Sequence, residues 1–261
     1  MTPDDLTVDG LAVKRFSPHE PRASIVVVHG TMDRGSSFRR MVRNLPDLEV
    51  ILYDRRGYAG SADAGLSPTL DEQLADLRAV MEVATRRPPV LVGHSFGALL
   101  CLHAALRWPN DCAAVLAWEP PVPWLDWYRG SVGETASRMS EASAPEDVAE
   151  TFMRGMIGDR LWSRLPSSMK EQRRSEGDAL IADLALARTP SIAVDFGGVT
   201  VPTIAGCGSD SPPRFGRSAR LILSQVPDAM MVEVADCDHG VHLSHPVELA
   251  SLVSATVARA R

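Results

Sequence analysis

The residues with the clearest chemical signature are the five from Gly93 to Gly97, which read Gly-His-Ser-Phe-Gly. They follow a short apolar run at 89–93 and precede a helical stretch at 98–108, so we predict a turn between a strand and a helix. A sharp turn that exposes a serine hydroxyl needs very small neighbours two residues to either side, and both glycines supply them. The pattern therefore predicts that Ser95 is a nucleophile.

A serine hydroxyl needs a base to accept its proton, and His239 is the predicted base. It stands between a predicted strand at 230–234 and a final helical stretch that begins at Pro246. His242 and His245 follow it, and the resulting HxxHxxH string also suggests a metal site. Because each helical residue advances roughly 100°, three ligands at this spacing would spread over about 240° and suit one ion poorly. We therefore expect a general base here and no metal.

A third group must orient the base, and the sequence offers two carboxylates for this role. Asp210 lies in the loop after a predicted strand at 201–207, and we predict that it is the orienting acid. Glu119 directly follows the predicted strand at 114–118 and is the alternative, because some enzymes of this architecture take their acid from that position. The prolines after Glu119 favour a different interpretation, in which it marks the exit of the chain into another segment.

Acyl transfer also requires two backbone donors for the negative oxygen of the tetrahedral intermediate. The amide of Phe96, directly after the nucleophile, is the first predicted donor. The second should come from the loop at 29–33, which follows a predicted strand at 23–29. Thr31 is the expected donor in that loop, and Met32 is the alternative.

The elements that must position these residues alternate along the chain. Continuous apolar runs predict buried strands at 23–29, 50–53, 89–93, 114–118, 201–207 and 230–234, and amphipathic stretches predict helices at 36–44, 70–85, 96–108, 215–225 and 246–258. This alternation predicts an α/β fold with a mostly parallel sheet, helices on both faces and an edge hairpin at 6–16.

One stretch, from about 120 to 190, contains no convincing strand. Helical patterns at 146–156 and 178–187 fill it, and it is too long to be a simple connection. We predict that 121–195 form a helical cap, while 1–120 and 196–261 form the core.

Four motifs in this order resemble the α/β-hydrolase superfamily over nearly the whole chain. They are His29-Gly30, the string DRRGYAGS at 54–61, the turn around Ser95, and His239 seven residues before Pro246. Ala59 and Asp238 stand where the family usually has glycine. The resemblance implies a predominantly parallel, twisted sheet of about eight strands with an inserted helical cap, and a triad in the chain order Ser95, Asp210, His239.

Composition and charge limit the classes of binding partner that the chain is expected to have. The net charge is −6, which disfavours nucleic-acid binding, and no apolar run is long enough to predict a membrane span. The four cysteines form no CxxC pair, and the first ten residues lack a basic region, so we expect reduced thiols and a cytoplasmic protein. Formation of a homodimer is left open.

The expected function is hydrolysis of a small to medium carboxylic ester through a covalent acyl-enzyme, with a small-molecule acyl substrate and no cofactor. Carbon–carbon bond hydrolysis, perhydrolysis and a non-catalytic ligand receptor are the alternatives on the same scaffold. The resemblance implies that haloalkane dehalogenases and epoxide hydrolases would carry Asp at the position of Ser95, so the serine excludes these two activities. Candidate substrate-binding residues are Met32, Trp118, Trp124 and Met153.

Overall fold

The computed structural model describes residues 2–128 and 143–260, so part of the predicted cap, 129–142, lies outside the described residues. One eight-stranded sheet organises the described chain, in the order β1-β2-β4-β3-β5-β6-β7-β8. The strands are β1 Asp4–Val8, β2 Leu11–Phe16, β3 Ser24–Val28, β4 Glu49–Tyr53, β5 Val90–His94, β6 Ala114–Trp118, β7 Thr203–Gly208 and β8 Ala229–Val234. The pairs β1–β2 and β2–β4 are antiparallel and the other five are parallel. The predicted sheet of about eight mainly parallel strands is confirmed.

The antiparallel edge begins with a tight hairpin between β1 and β2. Asp9 and Gly10 form its two-residue turn, with φ of +48° and +85°. Positive φ at both positions is what a type I′ hairpin turn requires, and it explains the Asp-Gly pair.

Helices cover both faces of the sheet. The described α-helices are α1 Arg39–Val42, α2 Leu70–Met81, α3 Phe96–Arg107, α4 Pro145–Ile157, α5 Asp159–Arg164, α6 Ser167–Ser175, α7 Gly177–Leu186, α8 Pro213–Gln225, α9 Val241–Ser244 and α10 Pro246–Arg259. None of these helices is both long enough and apolar enough to cross a bilayer.

Alternate residues of the central strands point into two separate cores. In β3, Val26 and Val28 join the core beneath α2, α3 and α8, whereas Ile25 and Val27 join the core beneath α1 and α10. Burial on both faces explains why these strands are continuously apolar in sequence.

The four helices α4–α7 lie between β6 and β7 in the chain, and we call them the helical insert. Their own apolar cluster includes Phe152, Trp162 and Leu180, and two core residues, Met32 and Tyr58, pack into it. The insert is therefore fastened above the loops that follow β3 and β4, at the carboxyl edge of the sheet.

Candidate active site

Ser95 occupies the sharp turn between β5 and α3 that the sequence predicts. Its φ of +53° and ψ of −123° are unusual for a residue with a side chain. A Cβ on Gly93 would lie 2.4 Å from the Cα of Ala98, and one on Gly97 would lie 2.1 Å from the carbonyl oxygen of Val28. Both glycines are therefore required by close backbone approach, and they hold the serine in a strained conformation of the kind found at functional sites.

His239 lies in the loop after β8, and its Nδ1 is 2.6 Å from Oε2 of Glu119. The Glu119 side chain is fully buried, and its second oxygen accepts a hydrogen bond of 2.8 Å from the amide of Gly208. A carboxylate held in this way accepts the Nδ1 proton and leaves Nε2 of the imidazole as the proton acceptor.

The expectation that Asp210 orients His239 is not met. Asp210 is exposed, and its carboxylate accepts a hydrogen bond of 3.1 Å from the hydroxyl of Ser209. Its amide donates to the carbonyl of Cys237 at 2.9 Å, so the two loops pair through their backbones while the carboxylate faces solvent. Glu119, the alternative acid, lies in the position beside His239 that the sequence predicted for Asp210.

The reason lies in the backbone at the end of β6. Glu119 has a φ of +46°, so the chain turns sharply there before Pro120 and Pro121 lead it away. The turn leaves the Glu119 side chain beneath the loop of His239. The same prolines that favoured an exit into another segment thus follow a residue that belongs to the site.

His239 is held on its remaining sides by two rings. The ring of Phe215, at the start of α8, stacks on it at 4.7 Å between centroids. His94, the residue before the serine, lies 4.6 Å from it and donates from Nε2 to the His239 carbonyl at 2.8 Å. Burial, followed by the nearby His239 and His242, holds the pKa of His94 well below its usual range, so its ring is neutral. The turn of Ser95 and the loop of His239 are thus linked directly.

The loop after β3 lies against Ser95. A Cβ on Gly30 would come within 2.9 Å of the Ser95 Cβ, so only glycine fits there. The next residues form a turn in which Asp33 donates its amide to the Gly30 carbonyl at 3.3 Å and Met32 has a φ of +58°. The amides of Thr31 and Met32 are therefore carried on a tight turn beside the serine, while that of Phe96 begins α3.

The helical insert holds this turn from above. The Thr31 hydroxyl donates to Oδ2 of Asp183 at 3.0 Å, and Arg173 donates to the Met32 carbonyl at 2.8 Å. Asp183 also forms a buried ion pair with Arg55, in which the two side chains are 2% and 1% exposed. Tyr58 adds a hydrogen bond of 2.8 Å to the same carboxylate oxygen.

Sequence reasoning missed Asp183, although a signal was present. It lies on the apolar face of α7 between Leu180 and Leu184, at the spacing of one helical turn. An acid at such a position is buried, and a buried carboxylate needs a cationic partner. The guanidinium of Arg55 supplies the charge and also lies 4.9 Å from the ring centre of Phe96.

The structure brings only two of the four predicted substrate-binding residues together. Met32 and Met153 are buried in the same apolar cluster. Trp118 instead belongs to the core of the sheet, where its ring would lie 2.5 Å from a Cβ on Gly206. Trp124 is half-buried and packs against Phe196, with 6.3 Å between ring centres.

The model of the alpha/beta hydrolase family matches residues 25–252, and the chain belongs to this family. Among curated relatives, it is 32% identical over 113 residues to the lipase LipV of Mycobacterium tuberculosis (43% of this chain, 42% of the lipase). It is 29% identical over 177 residues to epoxide hydrolase A of the same organism (60% of this chain, 55% of that protein). The chain thus spans about half the length of these relatives or less.

Solved structures agree in fold. An alpha/beta hydrolase from Sphaerobacter thermophilus superposes with a TM-score of 0.73 at 20% identity, covering 97% of this chain and 100% of that one. The enol-lactonase from Burkholderia xenovorans gives 0.73 at 17% identity, with coverage of 98% and 100%. At such identities the likeness concerns the fold, which hosts many chemistries.

Proposed function

We propose that this hydrolase cleaves carboxylic esters with a small to medium apolar acyl group, and that Ser95, His239 and Glu119 form its catalytic triad. The hydrogen bond between Glu119 and His239 is the observation on which the proposal depends. This hydrogen bond favours the tautomer in which Nε2 can take a proton. The loop of His239 is also linked to the strained turn of Ser95, because Nε2 of His94 donates to the His239 carbonyl.

The reaction has two halves. Ser95 Oγ attacks the ester carbonyl while His239 Nε2 takes the hydroxyl proton. The carbonyl π electrons move to the carbonyl oxygen, which then faces two backbone amides. These are the amide of Phe96 and that of Thr31, with Met32 as the alternative to Thr31. Collapse of this intermediate expels the alcohol, which receives the proton from His239. Water then attacks the acyl-enzyme with His239 as base, and the acid leaves with regeneration of Ser95.

The charges near Ser95 bear on the nature of the acyl group. Cleavage of a carbon–carbon bond in a vinylogous diketone calls for a cation that holds the substrate's carboxylate. Arg55 is committed to Asp183 and Gln73, and Arg56 to Asp76, so neither guanidinium is available for such a group. The apolar Met32 and Met153 above the site instead favour an uncharged acyl chain. We propose that the helical insert acts as the cap over this site.

A fluorophosphonate probe tests the serine hydrolase directly. We expect covalent labelling of Ser95 in the wild-type protein and in Asp210→Asn, and none in Ser95→Ala. A panel of p-nitrophenyl esters from two to twelve carbons, run beside a ring-fission dienoate, tests the substrate class. Labelling without turnover of any ester would favour a ligand receptor, and efficient cleavage of the dienoate alone would favour the carbon–carbon bond hydrolase.

A further inference from the structure

Three side chains with metal-ligating atoms converge behind the turn of Ser95. Asp33 comes from the loop after β3, His94 from the end of β5, and His242 from α9. One ligand atom from each lies within 4.8 Å of the others, and among the described residues this is the one such group of three or more. The HxxHxxH string does not form a site, since Nδ1 of His239 pairs with Glu119 and Nδ1 of His245 lies 2.9 Å from the Ser244 hydroxyl.

Two of the three proposed ligand atoms lack the hydrogen bonds that buried polar groups normally make. Within the described part of the chain, Nδ1 of His94 and Oδ2 of Asp33 are buried without a hydrogen-bond partner. Nε2 of His242 lies 3.2 Å from that oxygen. His94 and His242 are only 6% and 3% exposed, so both imidazoles of the cluster are buried.

The tautomer of His94 is settled by its surroundings. Its Nε2 donates to the His239 carbonyl, so the neutral ring carries its lone pair on Nδ1, which is buried and has no hydrogen-bond partner among the described residues. A histidine ligand commonly donates its second nitrogen to a backbone carbonyl in this way, because that bond fixes the ring for the metal. The ring of His242 stacks on Phe38 with 4.5 Å between centroids, and its Nδ1 has no hydrogen-bond partner among the described residues.

The two oxygens of the Asp33 carboxylate have different surroundings. Oδ1 accepts a hydrogen bond of 2.5 Å from the Ser37 hydroxyl, and Oδ2 lies 3.2 Å from Nε2 of His242. Oδ2 is therefore the oxygen on the side of the cluster.

His29 is not a further ligand. Its Nε2 accepts a hydrogen bond of 2.8 Å from the Arg55 amide, and its Nδ1 donates to the Gly30 carbonyl at 2.7 Å. Both nitrogens are therefore used within the fold.

We propose that Asp33 Oδ2, His94 Nδ1 and His242 Nε2 form a binding site for one divalent ion of the zinc type, with water completing its coordination. Two imidazoles and one carboxylate suit zinc and cobalt better than magnesium or calcium, which prefer oxygen alone. Bonds of about 2.0–2.1 Å place tetrahedral ligand atoms roughly 3.3 Å apart. The distance of 3.2 Å between Asp33 and His242 already fits, and the ring of His94 would close the remaining gap.

Access and consequence follow from the position of the site. The Asp33 side chain is 17% exposed, which gives the ion a path from solvent. No step of ester cleavage passes through the ion. Its effect on the enzyme would be to stiffen the contact between the turn of Ser95 and the loop of His239.

The test uses the full chain, freed of metal with a chelator and titrated with Co²⁺ and Zn²⁺. We expect one ion per chain, visible absorption bands typical of Co²⁺ bound to nitrogen ligands, and a higher thermal unfolding midpoint with Zn²⁺. His242→Gln and Asp33→Asn should each weaken binding by about a hundredfold or more, since loss of a ligand costs at least as much as loss of an outer-shell partner. His245→Gln changes a half-buried histidine on the same segment that lies outside the cluster, and it should bind as the wild type does.

Absence of binding to the wild-type protein would overturn the proposal, as would unchanged binding by folded His242→Gln. If both ligand variants fail to fold, X-ray absorption of the zinc-loaded wild type decides. Two imidazoles and one or more oxygens around the ion support the site, and fewer than two imidazoles contradict it.

Discussion

Glu119 and His239 meet at the ends of strands that are not neighbours in the sheet. Glu119 follows β6 and His239 follows β8, yet Oε2 and Nδ1 are 2.6 Å apart. The carboxylate cannot swing away, because its other oxygen is bound by the amide of Gly208 on the intervening strand β7. The Glu119 carboxylate thus reaches His239 across β7. Glu119 itself follows β6, which is the neighbour of β5, the strand that ends just before Ser95.

The first prediction concerns Glu119→Gln. The amide would still accept a hydrogen bond from Gly208, but its NH₂ group would face Nδ1 and force the wrong imidazole tautomer. We expect kcat for a short p-nitrophenyl ester to fall by about 10⁴-fold, the cost of a similar change in other triads. Steady-state kinetics with an active-site titration measures it.

Asp210→Asn is the matched control for that change. Because its carboxylate is exposed and bonded to Ser209, we expect kcat within about twofold of the wild type. A larger loss in Asp210→Asn than in Glu119→Gln would return the acid to the loop after β7.

The second prediction concerns Ser95→Ala. In the proposed mechanism the hydroxyl forms the covalent bond to the substrate, so its removal should abolish ester turnover. Alanine keeps the Cβ that already occupies the strained turn, so the thermal unfolding midpoint should stay nearly unchanged. Both are measured on the same preparation, and more than a tenth of the wild-type rate in this variant would remove Ser95 from the reaction.

The sheet and the turn of the serine could be predicted because local sequence specifies them. A strand buried on both faces must be continuously apolar, and glycine alone fits where backbones approach as closely as at Gly93 and Gly97. The strand ends also indicated which loops carry the serine and the histidine.

The choice between the two acids could not be made in this way. Glu119 and Asp210 both follow parallel strands, and which carboxylate turns inward depends on a positive φ and on the pairing of two distant loops. The cluster of Asp33, His94 and His242 was hidden for the same reason, since its members come from three separate elements.

The third prediction concerns the ion pair that joins the helical insert to the core. Asp183→Asn keeps the shape of the side chain but leaves the guanidinium of Arg55 buried without a counter-charge. We expect the free energy of unfolding to fall by about 3–5 kcal/mol, measured by urea denaturation. Because Thr31 is bound to the same carboxylate, kcat/KM should fall as well.

A double-mutant cycle with Arg55→Met separates the pair from its surroundings. Once the guanidinium is gone, Asp183→Asn should cost less than it does in the wild type, by more than about 1 kcal/mol. Equal costs in the two backgrounds would mean that the pair does not couple the insert to the core.

The fourth prediction concerns the dependence of stability on pH. Burial, followed by the nearby Arg55, lowers the pKa of His29 from 6.5 to about 4. Between these values the unfolded chain binds a proton that the folded chain does not, so stability falls as the pH falls. The full contribution of His29 is present above pH 6.5 and is worth about 3 kcal/mol at most.

Urea denaturation at pH 7 and at pH 4.5 measures this contribution. The loss of unfolding free energy between the two pH values should be smaller in His29→Gln than in the wild type. This holds even if the variant is less stable at pH 7 because it lacks the hydrogen bond to the Arg55 amide. His19→Gln changes an exposed histidine and should lose as much stability as the wild type does. The same loss in His29→Gln as in the wild type would show that this histidine is not kept neutral in the folded protein.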